Sequence, residues 1–135
     1  QAGTLSGNPV SMSAGIAMLT QLKDKKIYKK LNEISDYLHD GLIKISSSHN
    51  YPLKVNKYCS MIGLFCTELE IDNYNDISQS CVDRYNELHR YFLNNYIYLP
   101  PSAYEALFLS TEMKKENIDY VLEVFDRFCS SYNLK

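Results

Sequence analysis

The sequence contains no apolar run approaching the roughly 20 residues that a membrane-spanning helix needs, and no block or stripe of basic residues. Its 14 Lys and Arg residues are mixed along the chain with 16 Asp and Glu residues, which gives a net charge of −2. These absences argue against a membrane or a nucleic acid as a partner. The chain starts at Gln1 with no initiator Met and no signal-peptide pattern, so a piece of a longer protein is expected.

Motifs for several kinds of site are also missing. No two cysteines are spaced as in a CxxC or zinc-binding pattern, and no P-loop, dinucleotide-binding glycine motif or Ser/His/Asp set is present. The cysteines are predicted to be small buried residues in a reducing compartment and the histidines to be solvated, so no metal site is expected. These residues are Cys59, Cys66, Cys81 and Cys129, and His39, His49 and His89.

What the sequence does contain is typical of one globular domain. Its 135 residues are 45% hydrophobic and 22% charged, which is close to the average of soluble domains. Apolar periodicity predicts the element order α-α-β-β-α-β-β-α and an α+β fold, in which a small, mostly antiparallel sheet has helices packed on one face. The predicted helices are residues 9–22, 24–46, 77–94 and 115–131, and the predicted strands are residues 53–57, 60–67, 96–99 and 106–110.

The first predicted helix differs from the others because it is apolar on nearly all sides. Residues 10–22 are rich in Ala, Met and Leu and carry no charged side chain. A helix of this kind is expected to be buried against other structure. The chain is therefore divided into residues 1–22, a loop with a buried helix, and residues 23–135, a small α+β domain.

The loop before this helix is the first candidate site. Residues 3–9 read Gly-Thr-Leu-Ser-Gly-Asn-Pro, with two hydroxyl side chains and a helix directly behind them. Backbone N–H groups at a helix N-terminus, together with hydroxyl groups, can bind an anion such as phosphate. The alternative is a structural helix start, with Asn8 or Ser6 as the N-cap.

The second candidate site is the segment Pro-Pro-Ser-Ala-Tyr-Glu-Ala, residues 100–106. Its one carboxylate, Glu105, stands between prolines and an apolar segment, where it could orient an amine or move a proton. The alternative is that Glu105 caps a turn or stays exposed. A third polar segment, residues 56–61, is fully explained by a β-turn.

Together, these segments resemble one family. A Gly-Thr-x-x-Gly-Asn-Pro loop before an Ala- and Met-rich helix is similar to the class III aminotransferase-like enzymes, and the central Leu5-Ser6 is typical of the glutamate-1-semialdehyde aminomutases among them. Residues 55–56, 60–61 and 63–65 look like a strand pair of that family. Residues 101–106 resemble its Pro-Ser-x-Phe-Glu-Ala segment, so the resemblance covers essentially the whole chain.

The resemblance implies the C-terminal small domain of a fold type I enzyme that uses pyridoxal 5'-phosphate (PLP). Thr4 and Gly3 would contact the phosphate of PLP across the interface of a cytoplasmic homodimer. Glu105 and Ser102 would lie near a small-molecule substrate. The implied reaction moves an amino group within glutamate-1-semialdehyde, which gives 5-aminolevulinate for tetrapyrrole synthesis.

The resemblance assigns no catalytic residue to this chain. In the family, the lysine that carries the cofactor lies upstream of the loop that begins here at Gly3, so this fragment alone is expected to be inactive. Two positions depart from the family pattern, since Leu107 and Cys59 both stand where Gly is common. Leu107 could narrow the site beside Glu105, and Cys59 would matter only if its turn needs a positive φ.

Two other functions remain open. A related class III ω-aminotransferase would take its amino group from an external donor. A binding or assembly module would keep this domain without the enzyme.

Overall fold

The computed structural model describes residues 3–132. The ends of the two predicted segments, residues 1 and 2 of 1–22 and residues 133–135 of 23–135, lie outside the described residues. Within residues 3–132, four α-helices, three short strands and one 3-10 turn follow one another along the chain. The helices are α1 (Pro9–Leu22), α2 (Lys25–Ser48), α3 (Gln79–Asn94) and α4 (Lys115–Tyr132). The strands are β1 (Lys54–Tyr58), β2 (Met61–Phe65) and β3 (Leu107–Phe108), and the 3-10 turn is Tyr74–Asp76.

The strands form an antiparallel sheet in the order β1-β2-β3. Ile62 and Leu64 of β2 are buried under the helices, whereas Met61 on the alternate face is 40% exposed. Met61 pairs in register with Phe108, which is 69% exposed. Because neighbouring strand residues point to opposite faces, the helices cover one face only. The predicted α+β class with helices on one face is confirmed.

The helices meet the sheet through amphipathic faces. Leu38 and Leu42 of α2 are buried and lie on one apolar stripe of this helix. On α3 the buried face contains Tyr85, Leu88 and Phe92. The N-terminus of α2 is capped by Asp24, which accepts a hydrogen bond from the Lys26 N–H at 2.9 Å. Polar capping and one apolar stripe are sufficient to explain where these helices form.

The predicted strand at residues 96–99 is wrong. After α3 ends at Asn94, Tyr96 adopts a positive φ of 59° and the Ile97 N–H donates to the Phe92 carbonyl at 2.9 Å. This is the geometry that closes a helix C-terminus. The side chain of Leu99 is buried, as in a strand, but the backbone groups of Tyr96 and Ile97 form hydrogen bonds with the helix end and not with a sheet.

The expected burial of α1 is not found within residues 3–132. None of its residues is buried, and Val10 is 78% exposed. The other large apolar side chains of α1 that are exposed are Met12, Ile16, Met18 and Leu19. Any surface that covers this helix must therefore come from outside the described residues.

The cysteine prediction holds for three of the four residues. Cys66, Cys81 and Cys129 are fully buried and unpaired, whereas Cys59 is exposed in the β1–β2 turn, where the prediction is wrong. Burial raises the pKa of Cys66 and that of Cys129 to about 12. The three buried thiols therefore stay protonated near neutral pH, as expected for packing residues.

The histidines are half-buried, not simply solvated. His49 lies 2.9 Å from Asp126 of α4, and His39 lies 2.9 Å from its neighbour Asp40. The Nε2 atom of His89 is buried and has no hydrogen-bond partner among residues 3–132. No group of three or more potential metal ligands occurs within residues 3–132.

The contact between α2 and α4 depends on Gly41. A Cβ atom at Gly41 would lie 2.5 and 2.6 Å from the two Cδ atoms of Leu122. We expect Gly41→Ala to lower the free energy of unfolding by up to about 2 kcal/mol, because an overpacking cost of about 1–3 kcal/mol is offset by a gain of about 1 kcal/mol in helix propensity. Urea unfolding measures this change. Leu122→Ala removes the clashing group, so an equal loss in that background would contradict the explanation.

Candidate functional site

Residues 3–8, here called the Thr4 loop, form two overlapping turns before α1. The Ser6 N–H donates to the Gly3 carbonyl at 2.9 Å, and the Asn8 N–H donates to the Leu5 carbonyl at 3.1 Å. Gly7 has a φ of 73°, a conformation that glycine adopts without strain. The glycine at this position therefore allows the chain to turn into the helix.

Asn8 is the N-cap of α1. Its Oδ1 accepts hydrogen bonds from the N–H groups of Val10 and Ser11 at 2.9 and 3.2 Å. Pro9 has no N–H group, and the Met12 N–H donates to the Asn8 carbonyl. The first helical N–H groups are thus already satisfied. An anion at this loop would have to be held by donors that precede the helix.

Such donors are present at Thr4. Within residues 3–132 the hydroxyl and backbone N–H of Thr4 and the backbone N–H of Leu5 have no hydrogen-bond partner. Thr4 is exposed, and no residue from Gly3 to Leu22 carries a charge. Free N–H and O–H donors with no nearby carboxylate suit the phosphate of PLP. The residues of the Thr4 loop therefore fit the group that the resemblance implies.

Residues 100–106, here called the Glu105 loop, are fixed from both sides. The buried hydroxyl of Tyr85 donates to the Pro100 carbonyl at 2.7 Å, and the side chain of Ala103 is buried. Ser102 organises the turn itself, because its carbonyl accepts from the Glu105 N–H at 3.1 Å and its Oγ accepts from the Tyr104 N–H at 3.2 Å. The backbone of Glu105 is thus held in a turn while its side chain is exposed.

Tyr85 connects this loop to the core electrostatically. Burial raises the pKa of the Tyr85 phenol, and the proximity of Cys66 and Glu105 raises it further. Tyr85 therefore remains a neutral hydrogen-bond donor to Pro100 over the whole range in which the protein is expected to work. Tyr85 belongs to the buried face of α3, and the apolar pattern of that helix gives no indication of this contact with the loop.

A second tyrosine contact was not anticipated at all. The rings of Tyr74 and Tyr104 are stacked with centroids 4.8 Å apart and an interplanar angle of 23°. Tyr74 belongs to the 3-10 turn, which lies between β2 and α3 along the chain. A stack between residues 30 positions apart leaves no periodic signal in a sequence.

The Thr4 loop and the Glu105 loop are not brought together in this chain. No hydrogen bond, ion pair or ring contact joins residues 3–8 to residues 100–106 in the described structure. Each candidate loop is therefore locally ordered, and a common site would need groups from elsewhere.

The departure at Leu107 does not affect Glu105 directly. Leu107 pairs in register with Ile62, whose side chain is fully buried, so both point to the helix-covered face of the sheet. There Leu107 lines an apolar cavity of about 470 Å³ together with Leu64 and Phe92. The expectation that a bulky Leu107 narrows the space beside Glu105 stays a prediction.

The departure at Cys59 does concern a strained position. Tyr58 and Met61 pair across the hairpin, so Cys59 and Ser60 form a two-residue loop. Of these two, only Cys59 has a positive φ, at 51°. A positive φ at the first position of a two-residue hairpin loop favours glycine. Cys59 therefore stands where the backbone prefers Gly.

We expect Cys59→Gly to raise the free energy of unfolding by about 0.5–1 kcal/mol. The left-handed conformation costs a non-glycine residue roughly 1–2 kcal/mol in the folded state, and glycine removes this cost. Glycine also makes the unfolded chain more flexible, which offsets part of the gain in stability. Urea unfolding under reducing conditions measures the effect. Ser60→Gly, in the same loop but at a negative φ, should lower stability, and equal effects of the two changes would refute the strain.

None of the helices formed by residues 3–132 is long and apolar enough to cross a membrane.

No protein-family model matches the chain. Among curated relatives, the glutamate-1-semialdehyde 2,1-aminomutase 1 of Staphylococcus carnosus is 41% identical over 127 residues, which are 94% of this chain and 29% of that protein. The chain spans only about 30% of the length of such relatives. The resemblance inferred from the loops is confirmed over nearly the whole chain.

Solved structures show the same fold. An omega-transaminase from Sphaerobacter thermophilus superposes with a TM-score of 0.85 at 20% identity, over 96% of this chain and 30% of that one. A glutamate-1-semialdehyde aminomutase from Pseudomonas aeruginosa PAO1, in complex with PMP, gives a TM-score of 0.80 at 18% identity, over 96% and 28%. The chain therefore has the fold of one domain of these enzymes.

Proposed function

We propose that this chain is part of a glutamate-1-semialdehyde 2,1-aminomutase, a PLP-dependent isomerase that forms 5-aminolevulinate for tetrapyrrole synthesis. The observation that carries this proposal is the 41% identity to a curated aminomutase along nearly the whole chain. The Thr4 loop and the Glu105 loop both lie within the matched part, and each is ordered by its own hydrogen bonds.

In this proposal the Thr4 loop binds the phosphate of PLP. The Thr4 hydroxyl, its N–H and that of Leu5 are exposed donors, while Asn8 keeps the start of α1 closed. Bound PLP supplies the electron sink and carries the amino group. We propose further that the phosphate is contacted across the interface of a homodimer located in the cytoplasm. The exposed apolar side chains of α1 support a covering surface outside residues 3–132, which a second subunit would supply.

The Glu105 loop faces the substrate in the same proposal. The Glu105 carboxylate is exposed and its backbone is fixed through Ser102 and Tyr85. A carboxylate held at a set position can accept a hydrogen bond from a substrate amine and orient it. Ser102 then acts mainly through the turn that it stabilises, because its Oγ already accepts the Tyr104 N–H.

A class III ω-aminotransferase is the second candidate function. The superposition with an omega-transaminase, at a TM-score of 0.85, favours it as far as the fold goes. The sequence identity to that protein is only 20%, against 41% to the curated aminomutase. The aminomutase is therefore the better supported of the two.

The experiment that separates them is an assay of the full-length protein with glutamate-1-semialdehyde and no amino donor. An aminomutase forms 5-aminolevulinate under these conditions because the amino group stays within the substrate. Turnover that appears only after an amine such as alanine is added would move the protein to the ω-aminotransferases. Absence of product with and without a donor would reject both functions.

A further inference from the structure

The Glu105 loop is anchored less firmly at Tyr104 than at its start. Pro100 is held by Tyr85, and Ala103 is buried, but Tyr104 is exposed. Its N–H is bonded only within the loop, to Ser102. The side chain of Tyr74 ties the Tyr104 side chain to another part of the fold, through the stacked rings and through the proximity of the two phenol groups.

Tyr74 is itself presented by a rigid turn. The Asp76 carboxylate accepts hydrogen bonds of 2.9 Å from the N–H groups of Asp72 and Asn73, and a third from the Asn73 side chain. The Asn73 Oδ1 accepts from the Asn75 N–H at 3.0 Å. This reciprocal pattern is a capping box, which fixes the backbone on either side of Tyr74.

The burial of Tyr74 does not explain its position. Its side chain is 70% exposed, so it contributes little to the hydrophobic core. An aromatic ring at this place acts mainly through the offset stack with Tyr104, a contact that adds to any effect of burial. Tyr104 is joined by one peptide bond to Glu105. The stack on Tyr104 therefore restricts the backbone at Glu105, and with it the direction in which the Glu105 side chain can point.

We propose that Tyr74 is a positioning residue for Glu105, acting through its stack on Tyr104. The inference rests on the proposed function, in which Glu105 lies beside the substrate. It assigns a role to the 3-10 turn, whose Asp76 carboxylate is engaged in the capping box.

The test is a double-mutant cycle in the full-length protein, assayed as kcat/KM for glutamate-1-semialdehyde. We expect Tyr74→Ala to lower kcat/KM roughly three- to tenfold, the range that a stacked aromatic pair supports. Tyr74→Phe keeps the ring and should retain wild-type kinetics. Tyr28→Ala, at an exposed tyrosine of α2 without a ring contact among residues 3–132, is the matched control and should have no effect.

The decisive comparison is the same change in the Glu105→Gln background. If Tyr74 acts through Glu105, then Tyr74→Ala costs nothing further once the carboxylate is gone. An equal loss in both backgrounds, or a loss in Tyr74→Phe as large as in Tyr74→Ala, would overturn the proposal. A wild-type protein that needs an amino donor would instead refute the aminomutase function, and the cycle run on that reaction would still decide the role of Tyr74.

Discussion

Replacing Thr4 by valine in the full-length protein is expected to weaken PLP binding about 10- to 100-fold. Valine has nearly the same shape but lacks the hydroxyl, and a hydrogen bond to a charged group contributes about 1.5–3 kcal/mol. The backbone N–H groups of Thr4 and Leu5 remain, so binding is reduced and not abolished. Titration of the apoprotein with PLP, followed by its absorbance, gives the dissociation constant.

Two variants make this experiment specific. Thr4→Ser keeps the hydroxyl and should bind PLP nearly as well as the wild type. Thr20→Val makes the same substitution at an exposed threonine of α1, whose hydroxyl donates to the Ile16 carbonyl of its own helix, and should leave PLP affinity unchanged. If Thr4→Val and Thr20→Val behave alike, Thr4 does not contact the phosphate.

A second large effect is expected at Tyr51, the centre of an aromatic cluster. Its ring contacts Phe125, Phe128 and Tyr132 edge-on, with centroid distances of 5.0–5.9 Å. Because the side chain is 3% exposed, we expect Tyr51→Ala to lower the free energy of unfolding by about 3–5 kcal/mol. Urea unfolding monitored by circular dichroism measures the change.

The hydroxyl of Tyr51 should behave in the opposite way. It lies beside the Cys66 thiol but makes no hydrogen bond of ordinary geometry within the described chain, and burial raises the pKa of the phenol. Removing a buried hydroxyl that lacks a partner is neutral or favourable by up to about 1 kcal/mol. Tyr51→Phe should therefore be at least as stable as the wild type, and a loss above about 1 kcal/mol would show that the hydroxyl is satisfied.

The helices of the domain could be predicted from the sequence because their stability depends on local patterns. The apolar stripe of α2 and the cap at Asp24 are both readable from neighbouring residues. Residues 96–99 show the limit of this approach. The sequence Tyr-Ile-Tyr-Leu is typical of a short strand, but the same residues also fit the segment that closes a helix. The positive φ of Tyr96 and the hydrogen bond from the Ile97 N–H to the Phe92 carbonyl distinguish them.

The candidate site was predictable in part for a similar reason. The two loops have recognisable residue patterns, and the cap at Asn8 follows from its place before Pro9. The contacts of Tyr85 with Pro100 and of Tyr74 with Tyr104 join distant parts of the chain. A single sequence contains no signal for such pairs, because either partner alone is explained by burial or by a turn.

The length of the exposed helix α1 makes the position of Thr4 sensitive to the tilt of the helix. Its 14 residues extend about 21 Å, so a tilt of 10° at its junction with α2 would displace Thr4 by about 4 Å. A shift of this size would break every hydrogen bond to a phosphate. The tilt can only be held by the surface that covers the apolar side chains of α1. If the partner subunit provides that surface, dilution that dissociates the dimer should also release the cofactor.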